Sequence, residues 1–164
     1  MPRAVSANAL QPAEPWCPEA ETSAWGFHNE WTWVRQPSLG RQNQQWICHW
    51  RVLGPNNGPA LVLLHGFGAS SGHWRRIAPK LAAQGWQVFS LDLLGFGASD
   101  QPGLRQGGPL DNQIWGKQIS AFLEEIVQRP AVLVGNSLGG LSALTTAVLT
   151  PHLVRALVAA PLPD

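Results

Sequence analysis

After residue 59 the chain carries four short runs that are apolar on both faces or nearly so, at 60–64, 87–91, 131–134 and 153–159. Runs of this kind, separated by amphipathic stretches, need a parallel sheet covered by helices on both sides; a sheet with one wet face would alternate apolar and polar residues instead. Three intervening stretches read as helices. One runs over 73–84, with Trp74, Ile77 and Leu81 on one stripe, Pro79 able to restart it at a first-turn position, and Gly85 as its stop. The next begins at Asp111 as a cap, keeps Trp115, Ile119, Phe122 and Ile126 on one face, and ends at Arg129-Pro130. The third starts at Ser137 and stops before Pro151. Upstream, 31–34 and 45–53 are aromatic, β-branched and partly alternating, with turn residues over 37–43 between them, which predicts an antiparallel hairpin. Trp31 and Trp33 share one face of the first strand, and Trp46 and Trp50 one face of the second, so packing is their expected role. The fold class that follows is α/β: an N-terminal antiparallel hairpin, then parallel strands with helices on both faces, ending after about the sixth strand.

Composition narrows the possible functions. With 45% hydrophobic and 13% charged residues among 164, the chain can build one core. Residues 1–24 are rich in proline and poor in large aliphatics, and they are expected to form a tail, leaving 25–164 as the folded unit. Eleven Lys and Arg against ten Asp and Glu give a net charge of +1, and no basic run is longer than Arg75-Arg76, which argues against nucleic acid as a partner. Cys17 and Cys48 show neither metal-ligand spacing nor a disulfide framework, and a reducing compartment fits them. No run reaches the roughly 18 apolar residues of a membrane span, and the N-terminus lacks a secretory apolar core. A cytoplasmic protein without cofactor or metal is expected, with a plastid-like compartment as the alternative; oligomeric state is not legible.

The chemistry concentrates in two loops. In Val132-Leu133-Val134-Gly135-Asn136-Ser137-Leu138-Gly139-Gly140 a G-x-S-x-G comes straight out of an apolar strand and opens a helix, the pattern of a nucleophile elbow. Side chains two residues before and after the serine would collide with neighbouring backbone, hence Gly135 and Gly139. The serine is pushed out at the carboxyl end of the strand and at a helix N-terminus, whose dipole favours developing negative charge. An earlier strand ends in His65-Gly66-Phe67-Gly68, where an H-G-x-G loop can aim a backbone N–H at the same oxyanion. Phe67 N–H and Leu138 N–H are the two expected donors, Asn136, Gly66 and Gly68 support them, and His65 on the oxyanion side reads as a brace for the loop. Gly-Phe-Gly-Ala-Ser occurs at 66–70 and again at 95–99, each time after a strand, as two strand-to-helix loops with unlike flanks.

Together with Leu91-Asp92-Leu93-Leu94-Gly95-Phe96-Gly97-Ala98-Ser99-Asp100, these strings resemble the α/β-hydrolase superfamily over about residues 31–164. Within it, His73-Trp74-Arg75, the Asp-Leu-Leu-Gly-Phe-Gly string and Gly-Asn-Ser-Leu-Gly-Gly are similar to cyanobacterial and chloroplast hydrolases that include pheophytinase-like esterases. Asn136 also resembles the elbow of carbon–carbon bond hydrolases. The resemblance implies a serine hydrolase acting on an ester or related acyl bond of a small apolar substrate, with Ser137 as nucleophile. It also implies a triad ordered serine, acid, histidine, with a lid after the sixth strand. The chain stops at Asp164, where that lid should begin, so a C-terminally truncated domain is expected. Past Ser137 the only histidine is His152, expected roughly 20 Å away at the far end of a helix. His28, His49, His65 and His73 precede the serine. The chain alone is therefore expected to be inactive. Asp164 could stand in the position that a minority of relatives use for the acid; Asp92 and Asp100 read as loop braces. Two other classes stay open: a non-catalytic hydrolase-like domain or broken-frame product, and a dinucleotide-binding domain. The latter rests on Gly66-x-Gly68-x-x-x-Gly72 with Asp92 downstream, a spacing one residue too long for the fingerprint.

Overall fold

The structure, a computed structural model, describes residues 25–35, 43–102 and 110–161. Six strands form its sheet: β1 (Phe27–Arg35), β2 (Gln44–Leu53), β3 (Ala60–Leu64), β4 (Gln87–Leu91), β5 (Ala131–Gly135) and β6 (Val154–Ala159). Among the described residues three α-helices accompany them: α1 (Ala78–Ala83), α2 (Asn112–Phe122) and α3 (Leu138–Leu149). The strand order is β1-β2-β4-β3-β5-β6. The β1/β2 and β2/β4 pairs are antiparallel, and β4, β3, β5 and β6 run parallel. This is the α/β architecture that the apolar runs demand, and β3 and β4 are buried at every position. The expected tail over 1–24, residues 37–42 of the expected turn, and Asp164 lie outside the described residues.

The tryptophans of the hairpin pack. Trp33 faces Trp46 across β1 and β2 with ring centroids 5.1 Å apart, and Trp31, Trp33 and Trp46 are buried with Cys48 against Ile119, Phe122 and Leu123. Trp31 Nε1 also donates to Glu125 Oε2 at 2.8 Å. A smaller cluster on Leu61, Leu63, Trp74, Ala78 and Val88 completes the core.

Two helices differ from the sequence pattern. The stretch expected as one helix over 73–84 is a 3-10 turn at Ser71–Trp74 followed by α1. Pro79 in the first turn of α1 explains the break, since it lacks an N–H and its ring would strike the carbonyl four residues back. The helix expected over 111–129 starts on its Asp111 cap, whose side chain accepts from Ile114 N at 2.9 Å, but its last turn, Leu123–Val127, is π-helical. That wider turn carries Glu125 to Trp31 and closes on Gln128 in the left-handed region at φ 57°.

Candidate active site

Ser137 stands between the end of β5 and the start of α3 with φ 51° and ψ −115°, one of two described non-glycine residues at positive φ. A non-glycine backbone rarely adopts such torsions and holds them only when its surroundings fix them. Here the surroundings are backbone. Asn136 N donates to Leu64 O at 3.0 Å, Ser137 N to Pro161 O at 2.9 Å, and Asn136 Nδ2 to Ala160 O at 3.0 Å. A Cβ on Gly135 would lie 2.4 Å from the backbone of Gly139 and Gly140, and one on Gly139 would lie 2.3 Å from Leu64 O. Both positions therefore admit only glycine without backbone movement. The turn leaves Ser137 half-buried at the carboxyl end of β5.

The loop after β3 lies against this turn. A Cβ on Gly66 would be 3.0 Å from Asn136 Oδ1 and 3.4 Å from Ser137 Cβ. Gly68, at φ 69°, completes a turn in which Ala69 N donates to Gly66 O at 3.2 Å. The amides of Phe67 and Leu138 donate to no other described residue. Phe67 is 80% exposed, its ring 5.3 Å from Phe96, which in turn meets Trp115 at 6.0 Å. These rings give the mouth of the site one apolar side.

His65 is fully buried and both of its nitrogens are spent. Nδ1 lies 2.8 Å from Gly66 O, so it carries the proton and donates; Nε2 accepts from Leu93 N at 3.0 Å. Burial pushes its pKa below the ordinary histidine value, and the imidazole is neutral. It ties the loop after β3 to the loop after β4. Asp92, also buried, braces the same region by accepting from Ser71 N and from Ala98 N. Asp100 accepts from Ile47 N at 2.7 Å. The dinucleotide reading gains no support, because the carboxylate of Asp92 is turned onto these amides.

None of the five histidines hydrogen-bonds to Ser137 among the described residues. His28 Nε2 and His49 Nδ1 lie 3.1 Å apart, and His49 Nε2 is 3.7 Å from Glu30. His73 packs on Trp74. His152 is exposed in a 3-10 turn, Pro151–Leu153, beyond the far end of α3. Among the described residues no group of three or more His, Cys, Asp or Glu side chains gathers to hold a metal ion.

Sequence reasoning missed Gln118. Fully buried, it presents Oε1 to Leu94 N at 2.9 Å, while Nε2 donates to Asp92 O at 3.2 Å and to Cys48 Sγ at 3.3 Å. Ser99, whose Oγ donates to Asp92 O at 2.7 Å, holds the loop from the other side. A glutamine beside Ile119 within the apolar stripe of α2 was the available signal for the first.

Residues 59–160 match the family model described as alpha/beta hydrolase fold. The chain is 33% identical over 122 residues to the magnesium-chelatase 30 kDa subunit of Rhodobacter capsulatus, covering 73% of this chain and 41% of that protein. It is 36% identical over 125 residues to 2-hydroxymuconate semialdehyde hydrolase of Pseudomonas sp. (strain CF600), covering 74% and 43%. Among solved structures, a membrane phospholipase A described as a bacterial virulence factor superposes with a TM-score of 0.70 at 28% identity, covering 89% of this chain and 43% of that one. The chain thus spans less than half the length of each of these relatives.

Proposed function

Because the chain belongs to the alpha/beta hydrolase family, we propose that Ser137 is the nucleophile of a hydrolase acting on an ester or related acyl bond. Its Oγ attacks a carbonyl carbon, and the carbonyl oxygen, gaining charge, is held by the Phe67 amide of the loop after β3 and the Leu138 amide at the N-terminus of α3. The observation that carries the reading is the torsion of Ser137, φ 51° and ψ −115°, with two nearby amides that donate to no described residue. A small apolar substrate fits the Phe67 and Phe96 rings at the mouth. A carbon–carbon bond hydrolase is the second reading, favoured by the likeness to 2-hydroxymuconate semialdehyde hydrolase.

In this reading the base is not among the histidines of the chain. His65 is spent on Gly66 and Leu93, and His152 lies beyond twelve residues of helix, about 18 Å at 1.5 Å per residue. A serine hydroxyl without a positioned base is a weak nucleophile near neutral pH. Residues 1–164 alone should therefore hydrolyse 4-nitrophenyl acetate no faster than Ser137→Ala. Turnover lost in Ser137→Ala would show that a histidine of this chain, or of a second copy, reaches the serine, and would overturn that half of the reading.

A further inference from the structure

A cavity lies at the other end of the sheet. It measures about 550 Å³ and opens at the amino ends of β3, β4, β5 and β6, whereas Ser137 follows the carboxyl end of β5. Its walls are apolar and cationic: Pro59, Trp86 and Pro130 on one hand, Arg129 and Arg155 on the other, with no acidic residue in the lining.

Neither arginine has an acidic partner among the described residues. Arg129 Nη2 donates only to uncharged acceptors, Asn56 O at 3.3 Å, Gly58 O at 3.0 Å and the Gln87 side-chain oxygen, and its Nε is buried without a partner. Arg155 is exposed and forms no hydrogen bond or ion pair among the described residues. Arg155 also sits at an irregularity in the β5/β6 pairing. Ala131 pairs with Val154 and Val132 with Ala156, so the register slips by one residue and Arg155 faces no residue of β5. An extra residue of this kind bends the strand and re-aims its side chain, and such irregularities concentrate at sheet edges, where β6 lies, and beside active sites.

Two guanidinium groups without a counter-charge, beside an indole ring and two prolines, match a small organic anion with an aromatic body. Guanidinium recognises carboxylate and phosphate oxygens by paired N–H bonds, and the indole face takes a planar ring. We propose that this cavity is a second binding site, separate from the nucleophile, for an aromatic carboxylate or phosphate. The anionic group sits between Arg129 and Arg155, and the ring lies on Trp86.

Isothermal titration of the full chain with 1-naphthyl phosphate and 1-naphthoate, with 1-naphthol and inorganic phosphate as controls, tests this. Saturable binding of at least one aromatic anion is expected, and the stronger of the two identifies the anionic group. Binding of 1-naphthol or inorganic phosphate should be at least about tenfold weaker. Arg155→Gln should weaken the anion about tenfold or more; Arg155 has no partner to lose, so the fold does not depend on it. Ser137→Ala should bind the anion as the parent does. No saturable binding of either anion, equal binding of 1-naphthol, or an unchanged affinity in Arg155→Gln overturns the proposal.

Discussion

A histidine in the loop beside the proposed nucleophile invites a catalytic role, and the hydrogen bonds of His65 leave it none. Its position before Gly66-Phe67-Gly68 marked it as a brace in the sequence, but its partner Leu93 did not show there, because that contact joins loops 28 residues apart. Burial holds the His65 pKa below 6.5, and burial, then Arg51 and His49, lower that of His28. A folded state that protonates at lower pH than the unfolded chain binds fewer protons in between, so stability should fall as the pH drops below about 6.5. Melts from pH 8 to pH 5 should show Tm falling on the acid side, with a shallower slope in His65→Leu. That variant should also be about 1–3 kcal/mol less stable at pH 8, since Leu93 N–H loses its acceptor. A parent Tm that rises on acidification would contradict the assignment. Cys48 offers a second check. It is fully buried and its thiol is pushed up to about 12 by burial, so iodoacetamide at pH 8 should leave it unmodified until the chain unfolds. Peptide mapping that finds rapid alkylation of Cys48 in the folded chain would count against this packing.

At the level of elements, the parallel strands were legible because burial on both faces leaves an uninterrupted apolar run, and β3 and β4 fall where those runs do. β1 was only half legible. Its aromatic part alternates, but His28, Asn29 and Glu30 look like loop and become strand because they pair with Arg51, Trp50 and His49. Pairing is a property of the partner, which local pattern does not carry. The π-helical end of α2 was equally invisible, whereas the glycines of the elbow were readable because each has a steric duty. Gly135→Ala tests that duty. A Cβ 2.4 Å from the Gly139 and Gly140 backbone must move it, and overpacking of this kind costs about 1–3 kcal/mol. Chemical denaturation should show a loss in that range, and an unchanged midpoint would mean that the turn is looser than described.

Across the whole molecule, half of the proposed chemistry was legible: the serine and its two amides come with their motifs, while substrate walls follow no spacing rule. Phe67 and Phe96 meet only because two loops fold over the same strand ends. The molecule also presents apolar surface. Leu141, Leu144 and Val148 form one stripe on α3 at 39%, 40% and 81% exposure, and Val158 on β6 is 52% exposed. As a 164-residue chain it should bind a hydrophobic dye strongly and associate with itself. A monomer with a sharp, reversible melt and little dye binding would contradict that. In the proposed reading Ser137 is the nucleophile, the Phe67 and Leu138 amides hold the oxyanion, and no histidine of the chain hydrogen-bonds to the serine among the described residues. Loss of the histidine in a serine protease costs on the order of a millionfold in turnover, and free imidazole can return a small part of it. The direct measurement is labelling by a fluorophosphonate probe, mapped by mass spectrometry, with and without imidazole. The account predicts no labelling of residues 1–164 alone above Ser137→Ala, and slow labelling at Ser137 when imidazole is added. Labelling at Ser137 without imidazole, or labelling with imidazole that is equal in Ser137→Ala, would contradict it.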